Sequence, residues 1–266
     1  MKHRPFSWRT MPAFTAVSWV VMVFFYAPLI ILVIYGFNAN DLATQWGGFS
    51  TKWFVKAAQN DDLVRSATNS LIVATSATLG ATCLAIPAAI AFERGGRFFG
   101  RTPGEGVLSL PLMAPDIVTA ISTLMFFSFV GIRLGLGNVI LAHTVFCIPF
   151  AVLPIRARLR EMPADIEDAA RDLYSGPWEV FRLVTLPALM PGIVAGALMA
   201  FVISLDDFII TLMVAEAGST TLPVYLYGML RQGVTPEANA AAAILLVVSV
   251  TCVVLAHAFA KRKSKT

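Results

Sequence analysis

Charge is what this 266-residue sequence has least of. Asp, Glu, Lys and Arg together make up 14% of the chain, where soluble domains carry roughly 25%. Hydrophobic residues reach 57% against a usual share of roughly 45–50%, and the mean hydropathy is +0.74. Too little polar surface remains to cover a water-soluble particle, so a soluble fold is excluded. Cysteine is also scarce. Cys83, Cys147 and Cys252 are isolated and each falls in an apolar run, which excludes a disulfide framework and suggests no metal site. His3, His143 and His257 are single as well, and His143 and His257 read as hydrogen-bonded packing residues on apolar helices. No G-x-x-x-x-G-K-[ST] phosphate loop occurs, so the chain has no ATP-binding signature of that kind.

The few charges mark out the architecture. None lies between Arg9 and Asp41, Arg65 and Glu93, Arg133 and Arg156, or Glu237 and Lys261. Glu105 to Arg133 holds only Asp116, and Arg182 to Glu216 only Asp206 and Asp207. Each gap supplies the ~20 residues that a helix needs to cross a ~30 Å hydrocarbon layer. The expectation is an all-α integral membrane protein with six transmembrane helices, about 14–37, 67–92, 107–130, 137–156, 188–214 and 238–260. The runs are continuous rather than alternating, which argues against a β-barrel. The first run is too long for a signal-peptide core and no A-x-A site closes it, so it is expected to remain as a helix.

Basic residues then orient the chain. Fifteen of the twenty Lys and Arg fall in the N-terminal tail, the 2–3 and 4–5 loops and the C-terminal tail; Lys52, Lys56, Arg65, Arg133 and Arg231 fall on the other side. The positive-inside rule places both termini in the cytoplasm. This asymmetry accounts for the pI near 9.1 without a nucleic-acid partner. The expected layout is a cytoplasmic tail at 1–13, a six-helix membrane region at 14–260 with a cytoplasmic loop at 157–187, and a basic tail at 261–266. In the external 1–2 loop, Trp46-Gly47-Gly48-Phe49 reads as a turn and 51–60 as a short helix, with Trp46 and Trp53 as membrane-interface anchors. In the 5–6 loop, Leu222, Tyr225, Leu226 and Met229 recur at helical spacing.

The 4–5 loop spends about thirty residues where a connector needs a few. Asp165 reads as an N-cap with Asp168 at the acid position of a capping box. Ile166, Ala169, Ala170 and Leu173 share one face, with Glu167, Asp168, Arg171 and Asp172 around the rest. Gly176-Pro177 then breaks the chain and starts a second helix, with Pro at its first position and Glu179 in the first turn. Two short helices beside the membrane, one with a small-residue face at Ala169 and Ala170, suit the close approach of a partner.

Asp168-Ala169-Ala170, followed by a helix ending in Leu186-Pro187, resembles the EAA loop of ABC importer permeases. The family Glu falls on Asp168 and the family Gly on Tyr174, and both are departures; Gly176 is expected to supply the bend. Tyr26-Ala27-Pro28-Leu29, Phe37-Asn38, Pro115-Asp116, Ser204-Leu205-Asp206-Asp207 and Pro236-Glu237-Ala238-Asn239-Ala240 resemble the spermidine/putrescine importer permeases over nearly the whole chain. The resemblance implies a type I (MetI-like) permease fold in a bacterial inner membrane. It implies no enzymatic activity and no bound cofactor, since ATP and Mg would sit on a separate ATP-binding cassette subunit docked at Glu167, Asp168, Ala169, Ala170, Arg171, Asp172, Leu173, Tyr174 and Gly176. It also implies a second, different permease subunit and a periplasmic solute-binding protein. Other solutes (an opine, an aminophosphonate or a ferric complex) stay open within that class; a secondary transporter or a membrane enzyme is the rival outside it. The acids within the spans, Asp116, Asp206 and Asp207, are expected to help conduct a cation, because carboxylates in hydrocarbon face a cavity or a partner. Asp116 can alternatively cap the helix that Pro115 breaks. Of the adjacent pair, one acid is expected to face the pore and the other to bond inside the bundle.

Overall fold

The structure is a computed structural model describing residues 12–263 except 43–44, 97, 164, 173–175 and 234. Side chains of residues 12–13, 252–253 and 255–263 are also outside the description. Among the described residues the regular secondary structure is helical, apart from one isolated antiparallel bridge between Asn38 and Phe49. Four helices are long and apolar enough to cross a membrane: Phe14–Gly36, Asp61–Arg94, Leu136–Glu161 and Pro177–Asp206. A fifth span results if the bent pair Arg101–Met113 and Asp116–Val130 is counted as one. The expected sixth span lies on a helix from Pro236 to Lys263, whose described apolar stretch is Pro236–Thr251. The chain divides into two compact units, residues 1–60 with 228–246 and residues 61–227 with 247–266.

The first unit contains α1 (Pro12–Gly36), α2 (Lys52–Gln59) and the start of α12 (Pro236–Lys263). From Phe14 to Gly36, α1 is apolar on every side. Trp19, Phe24 and Phe25 are 68%, 73% and 67% exposed, which suits a helix solvated by lipid or a neighbouring subunit. The loop after it is knotted by Asn38, which is wholly buried. Its Nδ2 donates to the carbonyls of Leu42 and Gln45, and its Oδ1 accepts from the N–H groups of Asn40 and Gly47. In place of the turn expected at 46–49, Phe49 bridges to Asn38 and residues 46–48 are irregular, with Gly48 at φ +106° where a side chain would be strained. Trp53 is not the exposed anchor expected: its Nε1 donates to the Asn38 carbonyl at 2.8 Å, and the ammonium groups of Lys52 and Lys56 lie over its ring. Lys52 also donates to Asp41 at 2.7 Å, which holds that carboxyl below its ordinary range. Glu237 joins α2 to the first turn of α12, accepting from Asn60 at 2.9 Å and pairing with Lys56 at 3.0 Å.

The second unit is built on α3 (Asp61–Arg94), α6 (Leu136–Glu161) and α9 (Leu186–Asp206). Small residues let these helices approach closely, as packing in a membrane requires. Ala74, Ala77, Ala81, Ala85 and Ala89 form a wholly buried stripe on α3. On α9 a Cβ at Gly196 would stand 2.5 Å from the Ala151 carbonyl oxygen, and one at Gly192 would stand 2.7 Å from the Arg158 Cβ. We expect Gly196→Val to force these helices apart at a cost of about 1–3 kcal/mol, read as a lower unfolding temperature in detergent.

Two of the expected spans are broken within their length, the first at the proline that the sequence marks and the second without such a signal. The run 107–130 divides into α4 (Arg101–Met113) and α5 (Asp116–Val130), bent by 115° at Ala114–Pro115. Pro115 has no N–H to donate and disfavours helical backbone at Ala114, which is extended at ψ 141°. The run 188–214 divides into α9 and α10 (Ile209–Val214) because Asp207 is extended at φ −62°, ψ 130°. The 4–5 loop also differs from two free-standing helices. Its first helix, α7 (Asp165–Asp172), begins at Asp165 itself, not after it. Its second, α8 (Pro177–Val180), continues through a π-helical turn at Phe181–Thr185 straight into α9, so Pro177–Asp206 is one 30-residue rod. A helix from Leu222 to Gln232, α11, forms in the 5–6 loop with Leu222 and Leu226 buried as the spacing predicts.

Candidate coupling surface and solute pathway

Around the 4–5 loop, α7 divides its faces differently from the sequence reading. Glu167, placed among the surrounding polar residues, is the buried one at 8% exposure. Its Oε1 accepts from the Thr185 hydroxyl at 3.1 Å, and its Oε2 stands 3.7 Å from the Arg94 Nε. Ala170 is half-buried, whereas Ile166, Asp168, Ala169, Arg171 and Asp172 are exposed. Asp168 and Arg171 pair at 3.2 Å in the open, where such a pair contributes little. Leu173 and Tyr174, including the Tyr in place of the family Gly, lie outside the described residues. Gly176 precedes α8 with extended backbone, φ −66°, ψ 158°, a conformation open to any residue. Its N–H donates to the Glu179 carboxylate at 3.0 Å, and Pro177 opens α8. Ile166, Trp178 and Leu183 present large apolar side chains to solvent, the last two at 68% and 69%. These exposed apolar side chains lie on α7, α8 and the π-helical turn after it.

The same end of this unit is fastened by ion pairs that sequence reasoning missed. Glu93 on α3 accepts from Arg156 at 2.6 Å and from Arg160 at 2.9 Å, both on α6. Arg156 reaches on to Glu105 on α4 at 3.1 Å and lies over the Phe92 ring. The next residue, Arg94, donates to the Leu159 and Met162 carbonyls at 3.2 and 2.9 Å, filling orphan acceptors at the C-terminal end of α6. These groups read only as scattered charge along the sequence, because their partners are remote in it.

The three acids in the apolar runs have different surroundings. Asp116 is exposed at the start of α5, directly after the bend. Asp206 is exposed at the end of α9. Asp207, with a side chain 9% exposed, turns inward and accepts from the N–H groups of Ile210 and Thr211 at 3.4 and 3.0 Å. It thereby caps α10. Its Oδ2 also stands 3.3 Å from the Nε2 of His143. His143 is buried on α6, with Nδ1 2.8 Å from the Ser204 hydroxyl and Nε2 3.0 Å from the Thr211 hydroxyl. One imidazole therefore spans the break between α9 and α10. Asp207→Ala would remove the cap and leave buried donors unsatisfied, for an expected loss of about 1–3 kcal/mol, measured by detergent-phase unfolding. No cluster of His, Cys, Asp and Glu among the described residues could hold a metal ion.

With this geometry in place, comparisons with known proteins locate the chain. Residues 81–265 match the family described as "Binding-protein-dependent transport system inner membrane component". The chain is 39% identical over 229 residues to the putrescine transport system permease protein PotI of Escherichia coli K12, covering 84% of this chain and 82% of that protein. It is 36% identical over 245 residues to the spermidine/putrescine transport system permease protein PotC of the same strain, covering 92% of each. Among solved structures, it resembles a chain of a bacterial ABC transporter importing the acidic polysaccharide alginate, with TM-score 0.73, 16% identity and 94% of both chains covered. It also resembles a chain of the MetNI methionine ABC transporter, with TM-score 0.63, 19% identity, and 75% of this chain and 95% of that one covered. At these identities the two structures speak for the fold alone.

Proposed function

Because this chain belongs to the family of binding-protein-dependent transport system inner membrane components, we propose that it lines half of the translocation pathway of an ATP-driven importer for a polyamine, spermidine or putrescine. The observation carrying this reading is the similarity to both PotC and PotI over most of their lengths. On this reading six spans cross the bacterial inner membrane with both termini in the cytoplasm, as the basic residues of the tails and the 2–3 and 4–5 loops require. The Ile166–Ala169 face with Trp178 and Leu183 seats an ATP-binding cassette subunit, which holds ATP and Mg; this chain carries out no hydrolysis. A second, different permease completes the pore, and a periplasmic binding protein delivers solute from the opposite side. On this reading Asp116 and Asp206, both exposed, meet an ammonium group of the solute, and Asp207 serves the bundle. A tagged chain purified from its own membranes in mild detergent is expected to carry an ATPase and a second permease with it. Recovery of the intact chain as a lone monomer or as a homodimer, free of any ATPase, would refute this assembly.

A further inference from the structure

We infer that the Arg94–Glu167 pair is the joint through which displacement of the 4–5 loop moves the membrane helices, making Glu167 a positioning residue for transport. The inference rests on the reading of α7 as the ATPase-docking helix. Glu167 is the buried residue of an otherwise open helix, and what it touches lies on two other elements. Its carboxylate accepts from Thr185, in the π-helical turn that leads into α9. Its other oxygen faces Arg94, the last residue of α3, whose guanidinium also holds the Leu159 and Met162 carbonyls at the end of α6. One carboxylate thus links α7 to α3, α6 and the rod containing α9. A push on the outer face of α7 reaches the rod through the Thr185 hydrogen bond and α3 and α6 through Arg94. The Arg94–Glu167 contact is open by a few tenths of an ångström at 3.7 Å, and the buried Arg94 Nε has no hydrogen bond. A buried donor without a partner is costly, so a small inward shift of α7 completes that bond and favours a second arrangement of the joint. Coupling between sites requires such a pair of arrangements.

The test uses the assembled complex in proteoliposomes with the solute-loaded binding protein, and its readout is solute transported per ATP hydrolysed. Glu167→Gln keeps the side chain's size and an oxygen for Thr185 but removes the charge that Arg94 faces. The ratio is expected to fall on the order of tenfold, within the span usual for coupling between two sites. Loss of the joint shows in this ratio whatever happens to hydrolysis itself, which a purely stabilising role would not produce. A wild-type ratio in an assembled Glu167→Gln complex overturns the inference. If that variant does not assemble, Arg94→Lys carries the test, because it keeps the charge and loses the two-carbonyl grip; a wild-type ratio there overturns the inference equally. Failure of both variants to assemble assigns the pair to subunit assembly and also overturns it. A wild-type complex in which solute-loaded binding protein fails to stimulate hydrolysis is a separate result: it overturns the docking reading, and with it the inference that rests on it, before any variant is compared.

Discussion

Replacing Ala169 by glutamate is expected to abolish ATP-driven uptake, leaving less than about a tenth of the wild-type rate, while the chain still folds and inserts. Ala169 is exposed next to Ile166 on α7, so a large anionic side chain there meets no group of its own unit. Its cost falls on the contact with the docked ATPase, where a charge stripped of water without a partner weakens binding by several kcal/mol. Ala170, the other member of the small-residue face, is half-buried. An acid at Ala170 would disturb the seat of α7 as well as the docking surface. The pair of variants separates these effects: Ala169→Glu should lose ATPase co-purification with an unchanged melting profile, and Ala170→Glu should lose both. Full uptake by an Ala169→Glu variant would remove α7 from the docking surface.

The second large effect is expected at Asp206. Asparagine at this position keeps the shape of the side chain and removes its charge, and uptake of labelled putrescine should fall roughly tenfold or more, the equivalent of a charged hydrogen bond of about 1.5–3 kcal/mol. Asp206 is exposed where α9 stops, just before Phe208, whose ring packs on Tyr227 with centroids 4.8 Å apart. An ammonium group attached to a methylene chain is recognised by a carboxylate and by aromatic faces, and this stretch of chain supplies both residue types. Asp116→Asn should reduce uptake less, since Asp116 also favours the positive N-terminal end of α5. Asp207→Asn should act on stability, because that carboxylate is engaged with His143 and α10. Wild-type uptake by both Asp206→Asn and Asp116→Asn would show that neither acid meets the solute.

How much the sequence disclosed follows the range of the forces involved. The apolar runs were legible because crossing hydrocarbon is a local demand on about twenty consecutive residues. The bend at Pro115 was legible for the same reason, since a missing N–H acts within one turn. The break at Asp207 was not, because its stability comes from His143 and Ser204 meeting across 61 residues of sequence. Asp206 and Asp207 therefore appeared as neighbours on one helix, when the second of them leaves it. The inward turn of Glu167 was hidden likewise: hydrophobic periodicity assigns a Glu to the outer face, and its partners Thr185 and Arg94, both remote in sequence, reverse that. What composition could show was that the 4–5 loop had more residues and capping signals than a connector needs. Trp53 illustrates the opposite error, an aromatic assigned to the membrane interface that the Asn38 carbonyl draws into the core of its loop.

The central claim, half of the pathway of an ATP-driven polyamine importer, is tested most directly by uptake. Cells lacking this chain, the same cells with it restored, and cells carrying Asp206→Asn would be compared for energy-dependent accumulation of radiolabelled putrescine and spermidine at low external concentration. The account predicts that saturable uptake of at least one of the two disappears without the chain, returns in full with it, and returns only weakly with the variant. Accumulation of both polyamines at the same rate in the presence and absence of the chain would contradict it.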